Sequence, residues 1–525
     1  MRSHRFFVSI RRAAGSHTKR LTSSVASKTA AHSQWIAALA AGFLLLCLVQ
    51  GHLDAQEYQP NWTSIDSRPT PAWFTNAKFG IFIHWGVYSV PAYAPVIPGR
   101  LAYAEWYWHQ MVEGRDNPKA NPVETGTWAY HKKVYGADYP YQNFAPQFKA
   151  QLFDPDQWAD LFARSGAKYV VLTSKHHEGF ALWPSKEASA TWGRPWNSVE
   201  VGPHRDLLGG LTTAVRRKGL RMGIYYSLYE WYNPLWLSDK PRYIKDHLFP
   251  QFKDVVTRYK PSIIFTDGEW EMTSAQWRSP ELLAWLFNDS PVKNEVVIND
   301  RWGSDTRHKH GGYWTTEYTP GMSGMTHPWE ESRGMGFSYG YNRAETIKDY
   351  HTGRELVIML VDIVSRGGNL LLDIGPKADG TIPVIMQERL GQIGSWLKIN
   401  GDAIYGTRPW KVTRQWSEGK VPRIGYNTEF ETAYNVSKLV NQQAPGKAFI
   451  EAFFTSKSND LYAILPRWQA GPFVLKNVTG VRSVALLGSE APLKFTSAAN
   501  GVTVKLPVLP ADLRRQPAWV LKLNR

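Results

Sequence analysis

A (β/α)₈-like barrel followed by a small antiparallel β-sandwich is the architecture the sequence predicts, on three observations. Between about residues 72 and 400, short apolar runs alternate with amphipathic stretches of helical spacing, the pattern of a parallel sheet covered by helices. Several of those runs end in polar or aromatic residues, as a barrel with its site at the strand ends requires. After about 410 the runs become short, alternating and separated by turn residues, which reads as antiparallel strands in a sandwich. A chain of 525 residues also exceeds one ordinary domain.

In order along the chain, residues 1–55 read as a leader, 56–405 as the barrel domain and 406–525 as the sandwich. The leader carries seven Lys/Arg ahead of WIAALAAGFLLLCLVQG (35–51), then small and polar residues to Ala55. This is the plan of a cleaved secretory signal with a long basic segment; the alternative, a retained anchor, would be short for a span. The barrel strands are expected in FGIFIHWG (79–86), KYVVLTSKHH (168–177), RMGIYYS (221–227), SIIFTDG (262–268), EVVINDRWG (295–303) and NLLLDIGP (369–376). Helices are expected in 154–167, 208–219 and 280–289. The sandwich strands are expected in WKVTRQW, KAFIEAFFT, DLYAILP, FVLKNV, VRSVALLG, GVTVKLP and AWVLKLNR.

Composition narrows the function. The net charge is +16, but six of those charges sit in the leader, and after it the basic residues form no long run. That distribution argues against a nucleic-acid partner. Cys47, in the leader, is the sole cysteine, so the mature chain has neither a disulfide nor a Cys-based metal site. The 24 tryptophans often stand beside Gly, His, Asp or Glu. Ring faces next to hydrogen-bonding groups suit sugars, although aromatic residues also simply fill cores.

The strand ends collect His84, His176, His177, Tyr225, Asp267 and Arg301, with Glu105, Glu269 and Glu317 nearby. Asp267-Gly268 alone reads as an ordinary turn. A carboxylate pair in an aromatic pocket, however, suits glycoside hydrolysis, which needs a nucleophile or base opposite a protonated acid. A neighbouring arginine would keep the first carboxyl ionised. A metal hydrolase is the rival, on the ligand types of His176-His177-Glu178 and Asp267. Neighbours on a strand face opposite ways, so the two histidines chelate one ion only if the strand has already ended. The HExxH spacing and the G-x-S-x-G elbow are both absent.

These residues lie in motifs that resemble family 29 of the glycoside hydrolases, the α-L-fucosidases. The matching stretches are WFTNAKFGIFIHWGVYSVPAY (73–93), AEWYWHQM (104–111), FDPDQWADLFARSGAKYVVLTSKHHEGFALWPS (153–185), NSVEVGPHRDLLGGL (197–211), GIYYSLYEW (223–231), FTDGEW (265–270), VVINDRWG (296–303) and NLLLDIGPKADGTIP (369–383). The resemblance implies a retaining exo-α-L-fucosidase that works by double displacement and needs no metal or other cofactor. Asp267 would be its nucleophile and Glu317, in YWTTEY, its acid/base; Glu330, in HPWEES, is the alternative acid. His84, Glu105, Trp106, His176, His177, Tyr225 and Arg301 would bind the sugar. Phe82 and Tyr339 would contact the apolar C6 methyl of fucose. Phe265 stands where many relatives have tryptophan. The implied partners are fucosylated oligosaccharides or glycoproteins, met after export to a periplasmic, extracellular or lysosome-like compartment, with no membrane span once the leader is cleaved. A homo-oligomer is among the states the sequence allows.

Overall fold

The computed structural model describes residues 57–426, 434–441 and 445–525. The leader 1–55 lies outside the described residues. Eight parallel strands form the first sheet: β1 (Phe79–Ile83), β2 (Tyr169–Lys175), β3 (Arg221–Ser227), β4 (Ile263–Asp267), β5 (Val297–Ile298), β6 (Trp314–Glu317), β7 (Trp329–Gly334) and β8 (Asn369–Ile374). Their order, β5-β4-β3-β2-β1-β8-β7-β6, curls the sheet into a barrel open only between β5 and β6. β1, β2, β4 and β8 are buried at every position, because helices cover the outside and side chains fill the inside. Phe82, Tyr225, Phe265 and Leu371 belong to that inner packing.

The expected helices form at Pro155–Arg164, Leu207–Arg217 and Ser279–Asn288. Asp154 and Asp206 start the first two by accepting backbone N–H groups that have no partner inside the helix. No helix separates β5 from β6, or β6 from β7. Between β5 and β6 the barrel is closed by loop backbone and by the side chains of Asp300 and Arg301. Gly312 N and Tyr313 N donate to the Ile298 carbonyl at 3.1 and 3.2 Å. The buried Asp300 carboxylate accepts from Thr315 N at 3.1 Å and Thr315 Oγ1 at 2.7 Å.

β6 and β7 are absent from the expected strands, and EVVINDRWG supplies only a two-residue strand. The reason is polarity. β7 reads WEESRG, yet all six residues are buried, since each carboxylate finds local donors. Glu331 accepts from Thr316 Oγ1 and from Thr319 N at 2.9 Å, and it forms an ion pair with Arg333, Nε to Oε1 at 3.1 Å. A search for apolar runs cannot find such a strand.

The C-terminal part holds a five-stranded antiparallel sheet, ordered β13-β16-β11-β10-β9, and a three-stranded one, β12-β15-β14. These strands are β9 (Arg408–Trp416), β10 (Ile450–Lys457), β11 (Asp460–Leu465), β12 (Gly471–Lys476), β13 (Ser483–Leu486), β14 (Phe495–Ala498), β15 (Gly501–Leu506) and β16 (Trp519–Asn524). Alternation splits the larger sheet cleanly. Tyr462, Ile464 and Val520 join the barrel-side core, while Leu461, Ala463 and Leu521 face the small sheet. Buried Asp362, on the barrel helix Gly353–Ser365, pairs with Arg366 at 2.8 Å and with Arg414 of β9.

Candidate functional site

The carboxyl ends of the strands converge on one pocket, and β4 supplies its central carboxylate. Asp267 is the last residue of β4, and Gly268 follows with φ +74°. A Cβ at Gly268 would stand 2.5 Å from the Tyr229 ring, so only glycine fits this turn. Arg301, just past β5, donates from Nη1 to Asp267 Oδ1 at 2.9 Å and from Nη2 to Glu317 Oε2 at 3.1 Å. One guanidinium, just past β5, thus holds two carboxylates from the ends of β4 and β6, the strands on either side of it. Its Nε is fixed by Thr315 Oγ1 at 3.0 Å. Tyr225 of β3 donates its hydroxyl to Asp267 Oδ2 at 2.9 Å, and Tyr103 donates to Glu317 Oε1 at 3.1 Å.

Electrostatics separate these groups. Burial pushes the Asp267 carboxyl up, but Arg301, His177 and Arg307 outweigh it and hold it well below the usual carboxylate range. Burial pulls the Arg301 guanidinium down, and Asp267 and Glu317 more than restore it, so its charge is permanent. Glu105, buried in the turn Ala104–Trp106, is pushed by burial to about 7; it accepts from Gly340 N at 2.8 Å and Ser338 Oγ at 3.3 Å. Burial likewise lowers His84 and raises Asp373 of β8. With 2.7 Å between His84 Nδ1 and Asp373 Oδ1, both directions favour the uncharged pair.

β2 ends at Lys175, so His176 and His177 lie beyond the strand. Their rings sit 4.2 Å apart. His176 lines the pocket. His177 stands behind Asp267, with Nδ1 2.6 Å from Ser227 Oγ and Nε2 3.6 Å from Asp267 Oδ2. Among the described residues no group of three or more His, Cys, Asp or Glu side chains is arranged to hold a metal ion.

Of the residues expected from sequence, His84, Glu105, Trp106, His176, Tyr225, Asp267, Arg301 and Glu317 all line this pocket, as do Phe82, Tyr339 and Phe265. The Tyr339 ring stacks on His84 at 4.7 Å. Glu330 does not join them. It lies near the start of β7, buried against the hydroxyl of Tyr169 at the start of β2, towards the opposite end of the barrel from Asp267. Burial pushes its carboxyl to about 8. Glu271 is exposed and pairs with Lys240 at 3.3 Å. Tyr103, Trp270 and Ser332 also line the pocket and escaped the sequence reading. Tyr103 adjoins AEWYWHQM, Trp270 closes FTDGEW and Ser332 closes HPWEES, and that proximity was the available signal.

Residues 45–402 match the family model described as Alpha-L-fucosidase, and 449–524 match the Alpha-L-fucosidase C-terminal domain. The tissue alpha-L-fucosidase of Homo sapiens is 42% identical over 484 residues, covering 89% of this chain and 92% of the human one. The alpha-L-fucosidase of Dictyostelium discoideum is 46% identical, over 70% of this chain and 78% of its own. The crystal structure of the Thermotoga maritima alpha-fucosidase superimposes with a TM-score of 0.69 at 35% identity, covering 89% of this chain and 100% of that one. With the family model spanning most of the barrel and relatives aligned nearly end to end, this chain belongs to the α-L-fucosidases, family 29 of the glycoside hydrolases.

Proposed function

We propose that the enzyme is a retaining exo-α-L-fucosidase in which Asp267 is the nucleophile and Glu317 the acid/base. The observation that carries this reading is the Arg301 guanidinium, which donates to both carboxylates at once. Retaining enzymes need their two carboxyls close together, about 5–5.5 Å apart, and a shared guanidinium keeps them near. Asp267 is ionised and oriented by Tyr225 and Arg301, ready to attack the anomeric carbon of a terminal α-L-fucosyl residue. Glu317 protonates the departing glycosidic oxygen as the C–O bond breaks, and a covalent fucosyl ester forms on Asp267. Glu317 then takes a proton from water, which attacks the same carbon and releases fucose with its configuration retained. His84, Glu105, His176 and Tyr225 face the sugar hydroxyls, and Phe82 and Tyr339 offer apolar surface for the C6 methyl.

Asp267→Ala tests this directly. Hydrolysis of an aryl α-L-fucoside falls by several orders of magnitude while the fold persists, and azide restores turnover as the β-fucosyl azide. Wild-type activity in the variant, or β-L-fucose as the first anomer seen by NMR with the parent enzyme, would defeat the assignment. All the named groups come from the barrel segment 56–405, which supports a supporting role for 406–525. Export is the reading of the basic, then apolar, leader, in keeping with relatives described as tissue and plasma enzymes. An N terminus just after Ala55 in the mature protein, read by mass spectrometry, is the expected result.

A further inference from the structure

Trp270 is 40% exposed, more than any other tryptophan among the described residues, yet it lines the same pocket as Asp267 and Glu317. An indole left in water at such a place is a large apolar face without a cover. Its loop is held firmly. Glu269 turns inward, 1% exposed, with Oε1 2.5 Å from Arg307 Nε. The Glu269 carbonyl accepts from Trp277 Nε1 at 3.0 Å. On the other side of Trp270, Glu271 pairs with Lys240 at 3.3 Å. Two ion pairs therefore flank the exposed ring, and Gly268 sets the turn that projects it. Behind it, the Trp106 ring lies 6.0 Å away at 35°, and His177 and Tyr229 support it at 5.4 and 5.9 Å.

A face that is already ordered loses little conformational freedom on binding. The deep groups, Asp267, Tyr225 and Arg301, are buried, whereas the group leaving the anomeric carbon must depart toward the open side. That group in a glycan is another sugar ring, with an apolar C–H face matched to an indole. We propose that Trp270, backed by Trp106, is the platform that holds the sugar bearing the fucose, and so sets which glycans are cleaved fast. This rests on the reading that Asp267 and Glu317 flank the scissile bond.

The test compares Trp270→Ala with the parent on α-L-fucosyl fluoride, whose leaving group is one atom, and on a fucosylated lactose, whose leaving group is a sugar. Loss of one stacking contact lowers kcat/KM for the fucosylated lactose about 10-fold more than for the fluoride. Trp270→Phe recovers most of that difference. An equal change on both substrates, including no change, overturns the proposal. If the parent failed to hydrolyse the fluoride, the catalytic reading itself would be at fault. Calorimetry then decides the platform alone: Trp270→Ala weakens a sulfur-linked fucosyl disaccharide about 10-fold relative to methyl fucoside, and an unchanged ratio overturns it.

Discussion

Replacing Arg301 by methionine removes the one cation that both carboxylates share, and its effect on the pH profile can be worked out. Unit charges about 4 Å apart interact by about 4 kcal/mol at an effective dielectric of about 20. At about 1.4 kcal/mol per pKa unit, that is about three units for Asp267. Arg307 remains, with Nη2 3.9 Å from Asp267 Oδ1, so a net rise of about two units is expected. The sign is upward, since a lost positive charge disfavours the ionised form. In the parent, Asp267 stays ionised through the acidic range and sets no limb there. In Arg301→Met its titration moves back toward the usual carboxylate range, and kcat/KM acquires an acid limb at the acidic end of the profile. The rate at the optimum falls by about 10²–10³ as the fixed charge is lost. The assay is kcat/KM for an aryl fucoside between pH 3 and 9, with circular dichroism to confirm folding. Arg301→Lys, which keeps the charge, shows the smaller shift. A profile for Arg301→Met with the parent's shape would refute the argument.

Glu317→Gln and Glu330→Gln separate the two acids. The first lowers the rate on a sugar leaving group by at least about 10², with less effect on fucosyl fluoride; the second, a near-isosteric change to a carboxyl already neutral, keeps both rates. Comparable losses in the two variants would leave Glu317 without its role. Buried Glu230 accepts Lys175 Nζ at 2.8 Å, His247 Nε2 at 2.6 Å, Trp192 Nε1 at 2.7 Å and Asn233 Nδ2 at 2.6 Å, so Glu230→Ala costs about 3–5 kcal/mol in denaturant melts. Burial pushes Glu230 up, but His247 and Lys175 hold it well below its usual range. Its contribution is therefore complete above the unfolded carboxylate range and fades progressively as the pH falls from that range toward the lower native value; destabilisation unaffected by pH between 2 and 7 would contradict this. Exhaustive chelation leaves fucoside hydrolysis unchanged, and a rate recovered only by adding back a divalent cation would reopen the metal reading.

What the sequence revealed of this enzyme depended on where polarity fell. RMGIYYS is β3 residue for residue, because an apolar run between a helix and a polar end has one reading. Asp267 was legible for the same reason, as the first charge after such a run. β7 was not, since its burial rests on bonds to Thr316, Thr319 and Tyr169 that are distant in the chain or silent in composition. His176 and His177 were legible as residue types, but their geometry waited on where β2 stops. The Arg301 bridge was half visible. A cation near Asp267 could be expected, whereas its second hand on Glu317 follows from the fold of β5 and β6.

That unzipped edge between β5 and β6 has a thermal consequence. Elsewhere the barrel wall is a continuous ladder, but here it leans on Asp300, the Arg301 guanidinium and a few loop amides. Segments held by few such bonds open at free energies well below that of global unfolding. Arg301 and Glu317 sit on the two lips of that edge, while Asp267 stands on the intact side. Warming would part the acid from the nucleophile before the barrel itself melts, so heat should silence the enzyme while its circular dichroism still reads as folded.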